Sequence, residues 1–278
     1  MTTGTYLDSI LAAHRAAAGA DLRAFEPLLE RARHADATRG FRAALLRDAA
    51  GDGAVAVIAE VKRRSPSKGD LATDVDPAAL AAQYARGGAS CLSVLTDAEH
   101  FGGSIADLQA ARTAVSLPVL RKDFTVGPLD VVDARLMGAD CVLLIAAALD
   151  DVELRELHDL ALEVELDALV EVHDEHEIER AMAVEATLVG VNQRDLVTFE
   201  VDTARAVRVA SLLPVGVVRV AESGIAERSA VARLVDAGYQ AVLVGEHLVT
   251  SGDPAAAVAA LRGGGPARRD DEAGEPLP

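Results

Sequence analysis

The chain has 278 residues, half of them apolar, which is enough to bury one large core, and its formal net charge is −17. So acidic a balance argues against nucleic acid and anionic membrane surfaces as partners. No apolar run approaches the roughly 20 residues needed to span a bilayer, and the first residues lack the basic leader of a signal peptide. We therefore expect a soluble, cytoplasmic protein.

Helical patterns precede any strand pattern. They occupy residues 6–20, 26–35 and 40–49, where apolar residues recur at helical spacing among alanine and arginine. We interpret residues 1–53 as an N-terminal helical extension that packs against the main domain, and not as a separate domain.

From residue 54 onward, short branched apolar runs alternate with amphipathic helical stretches. The runs cover 54–62, 91–97, 118–124, 141–149, 167–173, 187–195, 216–224 and 241–248. Eight such repeats with short connections predict parallel βαβ units and a (β/α)8 TIM barrel over residues 54–263. No GxGxxG follows the first run, which weakens a dinucleotide-binding alternative. The tail at 264–278 is rich in Gly, Pro and charge and is predicted to be disordered.

Polar residues stand at the ends of these runs, where barrels of this type have their active sites. Glu60 and Lys62 are two residues apart and share one face of the first strand, and Asn192 and Arg194 repeat that spacing. The other polar residues at strand ends are Asp97, Lys122, Glu171, Glu222, Ser223 and Glu246. The pattern predicts a ring of charges at the mouth of the barrel.

Lysine is scarce in this chain. Of 27 basic residues only Lys62, Lys68 and Lys122 are lysines, and all three fall beside predicted strand ends. A compact ammonium that exchanges protons does what a guanidinium cannot, so this pattern favours a functional role for them. The two cysteines, Cys91 and Cys141, each open an apolar run and are expected to be buried small hydrophobes instead of a disulfide.

Two glycines indicate a ligand class. Gly224 and Gly245 fall in the loops after the seventh and eighth strands, where such barrels bind phosphate through backbone N–H groups. Ser65 and Lys68, in the loop after the first strand, are expected to reach the same region. Together they predict a phosphate-bearing ligand.

The segments IAEVKRRSPSKG, LRKDF, VEVHD, GVNQRDL, AESGI and VGEHL, in this order, resemble the indole-3-glycerol phosphate synthase family over about residues 54–250. The resemblance implies conversion of 1-(2-carboxyphenylamino)-1-deoxyribulose 5-phosphate to indole-3-glycerol phosphate, CO₂ and water, in tryptophan biosynthesis. It implies no metal and no organic cofactor. Other tryptophan-pathway enzymes are the macromolecular partners to consider.

The resemblance also implies residue roles. Lys122 would be the general acid on the ketone oxygen and Glu171 the general base of the later dehydration. Lys62 would pair with the substrate carboxylate and share acid work, while Glu60 and Asn192 position the lysines and hydroxyl groups. The implied binding residues are Ser65, Gly224, Gly245 and the Glu246 backbone for phosphate, Phe101, Phe124 and Leu143 for the aromatic ring, and Arg194 and Glu222. Ser223 looks like a binding residue but is counted with the catalytic group.

Simpler interpretations of single residues stay open. Glu60 and Lys62 could form a structural ion pair inside the barrel. Phe101 and Phe124 could be ordinary core, and Asp97 could be a turn residue.

Other functions also stay open. Phosphoribosylanthranilate isomerase chemistry would need a Cys/Asp pair, but both cysteines start strands, at the wrong end. A Schiff-base aldolase would use Lys122 as nucleophile. A catalytically inactive barrel could serve as a scaffold. Glu171, His173 and His176 could be metal ligands, although His176 falls in the following helix.

Overall fold

In the computed structural model, which describes residues 5–51 and 54–263, eight parallel strands close into a barrel. The barrel strands are β1 (Ala56–Val61), β4 (Cys91–Leu95), β5 (Val119–Lys122), β6 (Cys141–Ile145), β7 (Asp167–Val172), β8 (Leu188–Asn192), β9 (Val218–Glu222) and β10 (Ala241–Val244). Two further short strands, β2 (Arg64–Ser65) and β3 (Gly69–Asp70), lie outside the barrel. β2 and β3 form a small separate hairpin after β1. The barrel strands follow chain order, and β10 closes on β1. The predicted TIM barrel is confirmed.

Helices surround the barrel and cover its two ends. They are α1 (Tyr6–Ala20), α2 (Phe25–Arg33), α3 (Phe41–Asp48), α4 (Pro77–Arg86), α5 (Ala98–Phe101), α6 (Ile105–Ala114), α7 (Pro128–Leu136), α8 (Asp151–Glu163), α9 (Glu175–Ala183), α10 (Arg205–Val209), α11 (Arg228–Asp236), α12 (Glu246–Val249) and α13 (Pro254–Arg262). Local sequence starts several of them: Thr5 and Asp8 form a capping box on α1, and Asp150 and Glu153 form one on α8. Within the described residues, no helix combines the length and apolarity needed to cross a membrane.

The core has two layers, because alternate residues of each strand face opposite sides. Along β1, Ala56 and Ile58 belong to the cluster inside the barrel, while Val57, Ala59 and Val61 belong to the layer under the helices. All six residues of β1 are buried, as a strand covered on both faces requires.

Helix α3 closes the N-terminal end of the barrel. Phe41, Ala44 and Leu45 are almost completely buried in the same cluster as the inward-facing strand residues. The Arg42 backbone N–H donates to Oδ2 of Asp167, the first residue of β7, at 2.8 Å. This part of the N-terminal segment therefore completes the core.

Helix α1 lies at the opposite end, beside the C-terminal ends of the strands. Leu7 and Ile10 line the cavity there. Arg15 holds the helix to the barrel through Glu153, at 2.6 and 2.9 Å, and through the Ala148 carbonyl at 3.0 Å. The N-terminal segment thus contacts both ends of the barrel. The tail predicted to be disordered lies outside the described residues.

Both cysteines are buried and free. Cys91 and Cys141 are the first residues of β4 and β6, far from the mouth of the barrel. Burial raises the pKa of both thiols well above the ordinary value, which makes them poor nucleophiles.

Candidate active site

A cavity of about 480 Å³ opens where the barrel strands end. All of the site residues predicted from the sequence line it: Glu60, Lys62, Ser65, Phe101, Lys122, Phe124, Leu143, Glu171, Asn192, Arg194, Glu222, Ser223, Gly224, Gly245 and Glu246. They come from all eight barrel strands or the loops that follow them, since the barrel brings the carboxyl ends of its strands to one face.

The first ion pair lies at the end of β1. Oε1 of Glu60 is 2.8 Å from Nζ of Lys62, and its Oε2 accepts a hydrogen bond from Ser93 at 3.2 Å. Burial opposes the charge of this carboxylate, but Lys62 and Lys122 outweigh burial and lower its pKa below the ordinary value. Glu60 is therefore ionised at neutral pH.

The second ion pair centres on Lys122, at the end of β5. Its Nζ lies 3.2 Å from Oε2 of Glu171 and 3.7 Å from Oε2 of Glu222. Burial by itself disfavours the ammonium, but the carboxylates of Glu171, Glu222 and Glu60 raise the pKa of Lys122 above its ordinary value. A half-buried lysine with these neighbours stays protonated at neutral pH.

The two carboxyl groups beside Lys122 differ in acidity. Burial opposes ionisation of Glu171, but Lys122, together with an Asn192 amide that donates at 3.1 Å, lowers its pKa to about 2. Burial and the negative charge of Glu171 instead raise the pKa of Glu222 well above its ordinary value. The two neighbouring carboxyl groups thus have pKa values shifted in opposite directions.

A glycine makes room for this arrangement. Gly190 stands in the middle of β8, and a Cβ on it would collide with Oε1 of Glu222. A Cβ on Gly245 would likewise collide with Oε1 of Glu60 and crowd Nζ of Lys62. Sequence reasoning assigned Gly245 to phosphate and overlooked Gly190, although a glycine inside a strand run indicates a close approach.

The loops around Ser65 form a corner of the cavity. Its hydroxyl is buried and has no hydrogen-bond partner among the described residues. Ser223 and Gly224 both have left-handed backbones, with φ of 68° and 70°, and a Cβ on Gly224 would lie 2.5 Å from Cγ1 of Val201. The Glu246 carboxylate turns outward to Lys68, 3.8 Å away. The Ser65 hydroxyl thus lies at a corner of the cavity from which the Glu246 carboxylate turns away.

Apolar side chains line the opposite side. The ring centroids of Phe101 and Phe124 are 6.3 Å apart, and Leu143 is almost fully buried beneath the cavity. Phe101 ends the short helix α5, which Asp97 caps by accepting backbone hydrogen bonds from His100 and Phe101 at 2.6 and 3.2 Å. Asp97, left open as a turn residue, is therefore the helix cap that sets the position of this wall.

His173 lies behind Glu171. Its Nδ1 is 3.0 Å from Glu177, and its Nε2 is buried, without a hydrogen-bond partner among the described residues, and 3.7 Å from Oε1 of Glu171. His176 is exposed on α9. Within the part of the chain that the structure describes, Glu171, His173 and His176 are not a group whose ligand atoms could share one ion.

Comparison with known proteins gives a family. The family model described as indole-3-glycerol phosphate synthase matches residues 7–261. A protein of that name from a Nocardioides species is 60% identical over 207 residues, 74% of this chain and 80% of the relative. One from Mycolicibacterium smegmatis is 49% identical over 263 residues, 94% of this chain and 95% of the relative.

Solved structures that resemble this fold are more distant in sequence. Thiamine phosphate pyrophosphorylase from Pyrococcus furiosus is 15% identical, with a TM-score of 0.57 over 78% of this chain and 96% of the other. An N-acetylmannosamine-6-phosphate 2-epimerase from Clostridium perfringens is 13% identical, with a TM-score of 0.55 over 70% and 87%. At this identity the likeness concerns the fold alone.

Proposed function

Because the chain belongs to the indole-3-glycerol phosphate synthase family, we propose that Lys122 and Glu171 are the acid and base of its ring-closing reaction. The enzyme is a carboxy-lyase of tryptophan biosynthesis. It converts 1-(2-carboxyphenylamino)-1-deoxyribulose 5-phosphate to indole-3-glycerol phosphate, with loss of CO₂ and water. A cytoplasmic location and independence of metals and organic cofactors are part of the proposal.

Lys122 protonates the ketone oxygen while the ring carbon that bears the carboxylate attacks the ketone carbon. Its ammonium lies 3.2 Å from the buried carboxylate of Glu171. The developing alkoxide supplies the driving force for the transfer, and Glu60 and Glu171 hold the ammonium in place.

The number of protons that the reaction takes up and releases suggests a role for the second carboxyl group, Glu222. The ketone oxygen takes up two protons before it leaves as water, and one proton is lost from carbon to the base. Glu171, ionised, accepts that proton. Glu222, neutral and 3.7 Å from Lys122, can return a proton to the lysine between the two donations. We therefore move Glu222 from substrate binding to the proton-transfer group.

Binding uses the two sides of the cavity. The aromatic ring lies against Phe101, Phe124 and Leu143, and its carboxylate meets the Lys62 ammonium. The phosphate lies in the corner formed by the Ser65 hydroxyl and the loops of Gly224 and Gly245. These two sides orient the reacting carbons between Lys122 and Glu171, which is how such a site lowers the entropic barrier.

One observation carries the proposal: the Lys122 ammonium lies at the floor of the cavity beside two buried carboxyl groups, Glu171 and Glu222, whose pKa values are shifted in opposite directions. The test is to add the carboxyphenylamino-deoxyribulose phosphate to purified protein and follow indole fluorescence. We expect turnover in wild type and its near loss in Lys122→Met. An intact, folded wild type without product, or borohydride trapping of substrate on Lys122, would overturn the proposal and favour the inactive barrel or the aldolase.

A further inference from the structure

Three side chains converge outside the catalytic cluster, where α1 meets the barrel. Nε2 of His14 and Nδ1 of His100 each lie 3.0 Å from the same oxygen, Oδ2 of Asp97. His14 belongs to α1, Asp97 follows β4, and His100 lies in α5. Their three ligand atoms lie close enough to one another to hold a single metal ion, and no other group of three histidines, cysteines or acids in the described residues does so.

The spacing fits a transition-metal ion. Zinc binds imidazole nitrogen and carboxylate oxygen at about 2.0–2.2 Å, so that tetrahedral ligands stand roughly 3.3 Å apart. The two nitrogen–oxygen separations of 3.0 Å need to open by only a few tenths of an ångström. Two imidazoles and one carboxylate are also the donor types that zinc, cobalt and nickel accept.

Surroundings of the group favour a cation. Oδ1 of Asp97 is occupied by the backbone N–H groups of α5, which orients Oδ2 toward the two rings. A second carboxylate oxygen, Oδ1 of Asp123, is 3.9 Å from Nε2 of His14. The Asp97 side chain is 4% exposed whereas the His14 side chain is 22% exposed, so the group has an anchored base and an opening to solvent. A water can complete the coordination through that opening.

We propose that His14, Asp97 and His100 bind one divalent transition-metal ion of the zinc class. The ion takes the place of the protons on Nε2 of His14 and Nδ1 of His100. Each ring stays neutral with its proton on the other nitrogen, and a ring that was doubly protonated releases one proton to solvent. It joins α1 to the loop that carries Phe101 and holds the aromatic wall in place. The reaction does not pass through it.

The test uses untagged, full-length protein, stripped with EDTA and dialysed, and titrated with zinc chloride by calorimetry. A parallel titration with cobalt(II) follows the visible absorption typical of four-coordinate cobalt. We expect one zinc ion per chain, with micromolar or tighter affinity, and a melting temperature that rises with zinc concentration.

Two variants and a control separate coordination from hydrogen bonding. His14→Gln keeps an N–H donor toward Asp97 but lacks the imidazole, and His100→Gln does the same on α5. Each should weaken zinc binding by at least about tenfold and abolish the cobalt band, since loss of even an outer-shell partner costs that much. His176→Gln, an exposed histidine on α9, should bind as wild type does.

Two results would overturn the site: no zinc binding by folded wild type up to about 100 μM, or wild-type affinity in both His14→Gln and His100→Gln. Turnover measured in EDTA reports on the proposed reaction independently. A failed zinc titration with normal turnover therefore rejects the metal site alone.

Discussion

At the scale of single residues, the site is a group of paired charges. Glu60 and Glu171 have lowered pKa values beside Lys62 and Lys122, whereas the pKa of Glu222 is raised. Each buried ion needs a partner, because an uncompensated one costs several kcal/mol. An anionic substrate therefore meets two lysines that are each paired with a carboxylate.

Lys122→Met tests the acid role. The side chain keeps its length but loses the transferable proton, and general acid catalysis typically contributes roughly 10²- to 10⁴-fold. We expect kcat to fall by that order, while substrate affinity changes by less than about tenfold because the ring and phosphate contacts remain. Steady-state and binding measurements on the same preparation decide this.

Lys122→Arg is the sharper variant. Guanidinium keeps the charge beside Glu171 but holds its proton too tightly to donate it. Arginine should restore binding and little of the rate. Near-normal kcat in Lys122→Arg would make Lys122 an electrostatic anchor and assign the acid role to Lys62.

Glu222→Gln tests the neutral carboxyl group. Because the folded protein holds a proton on Glu222 above the ordinary pKa of 4.5, this residue contributes stability that is lost as pH rises from 4.5 toward the raised value. Gln mimics the protonated form, so Glu222→Gln should gain stability relative to wild type between pH 5 and pH 8.

Glu171→Gln is the matched comparison. It removes the ionised partner of Lys122 and should cost about 3–5 kcal/mol at neutral pH, as breaking a buried pair does. Denaturant unfolding at two pH values measures both variants. Equal destabilisation by Glu222→Gln and Glu171→Gln would show that both carboxyl groups are ionised.

At the scale of elements, the loops after β1, β9 and β10 together form the corner proposed to bind phosphate. The loop after β1, with its β2–β3 hairpin, places Ser65 opposite the loops after β9 and β10. Its hydroxyl, which has no hydrogen-bond partner in the described part of the chain, is the kind of group that a phosphate oxygen satisfies. Gly224→Val is a poor test of that corner, because the added side chain would strain the left-handed backbone and meet Val201.

Ser65→Ala is the cleaner test of the phosphate corner. A hydrogen bond to a charged group contributes about 1.5–3 kcal/mol, so KM should rise roughly 10- to 100-fold with kcat little changed. Inhibition by inorganic phosphate should weaken in parallel. Ser229→Ala, on exposed α11, is the control. An unchanged KM and phosphate affinity in Ser65→Ala would place the phosphate elsewhere.

Of the N-terminal helices, α3 packs into the core and α1 lines the mouth of the barrel. Leu45 and Leu46 are neighbours on α3, but Leu45 is fully buried in the barrel end and Leu46 is 41% exposed. Leu45→Ala should cost about 2–5 kcal/mol of unfolding free energy, whereas Leu46→Ala should stay within about 0.5 kcal/mol. Similar small losses would mean that α3 packs loosely, and the interpretation of residues 1–53 as an integral extension would fail.

At the scale of the whole molecule, the reaction is expected to need no metal. The reacting group is built from lysines, carboxyl groups and an amide, which supply both protons and charge stabilisation. EDTA treatment should leave kcat unchanged. Loss of turnover that a divalent ion restores would contradict this, and would assign a catalytic role to the histidines near the cavity. The zinc site proposed at α1 predicts a change in melting temperature without that loss.

Sequence periodicity alone was sufficient to predict the barrel and which strand ends meet at its mouth. Branched apolar runs with helices between them specify a closed parallel sheet, and its geometry takes every strand end to one face. That is why residues as far apart as Glu60 and Gly245 could be assigned to one cavity before their distances were known. Only strand order and side-chain alternation were needed, and both are local in the sequence.

Protonation and contacts across the fold required the tertiary structure. Glu171 and Glu222 are both carboxyl groups at strand ends, but their pKa values diverge because burial and the shared neighbour Lys122 act on them unequally. The barrel-closing role of α3 was equally hidden, since its helical pattern does not reveal which end it meets. His14 and Asp97, 83 residues apart, come together only because α1 folds across the mouth. Such effects depend on distances in space, which a one-dimensional pattern does not contain.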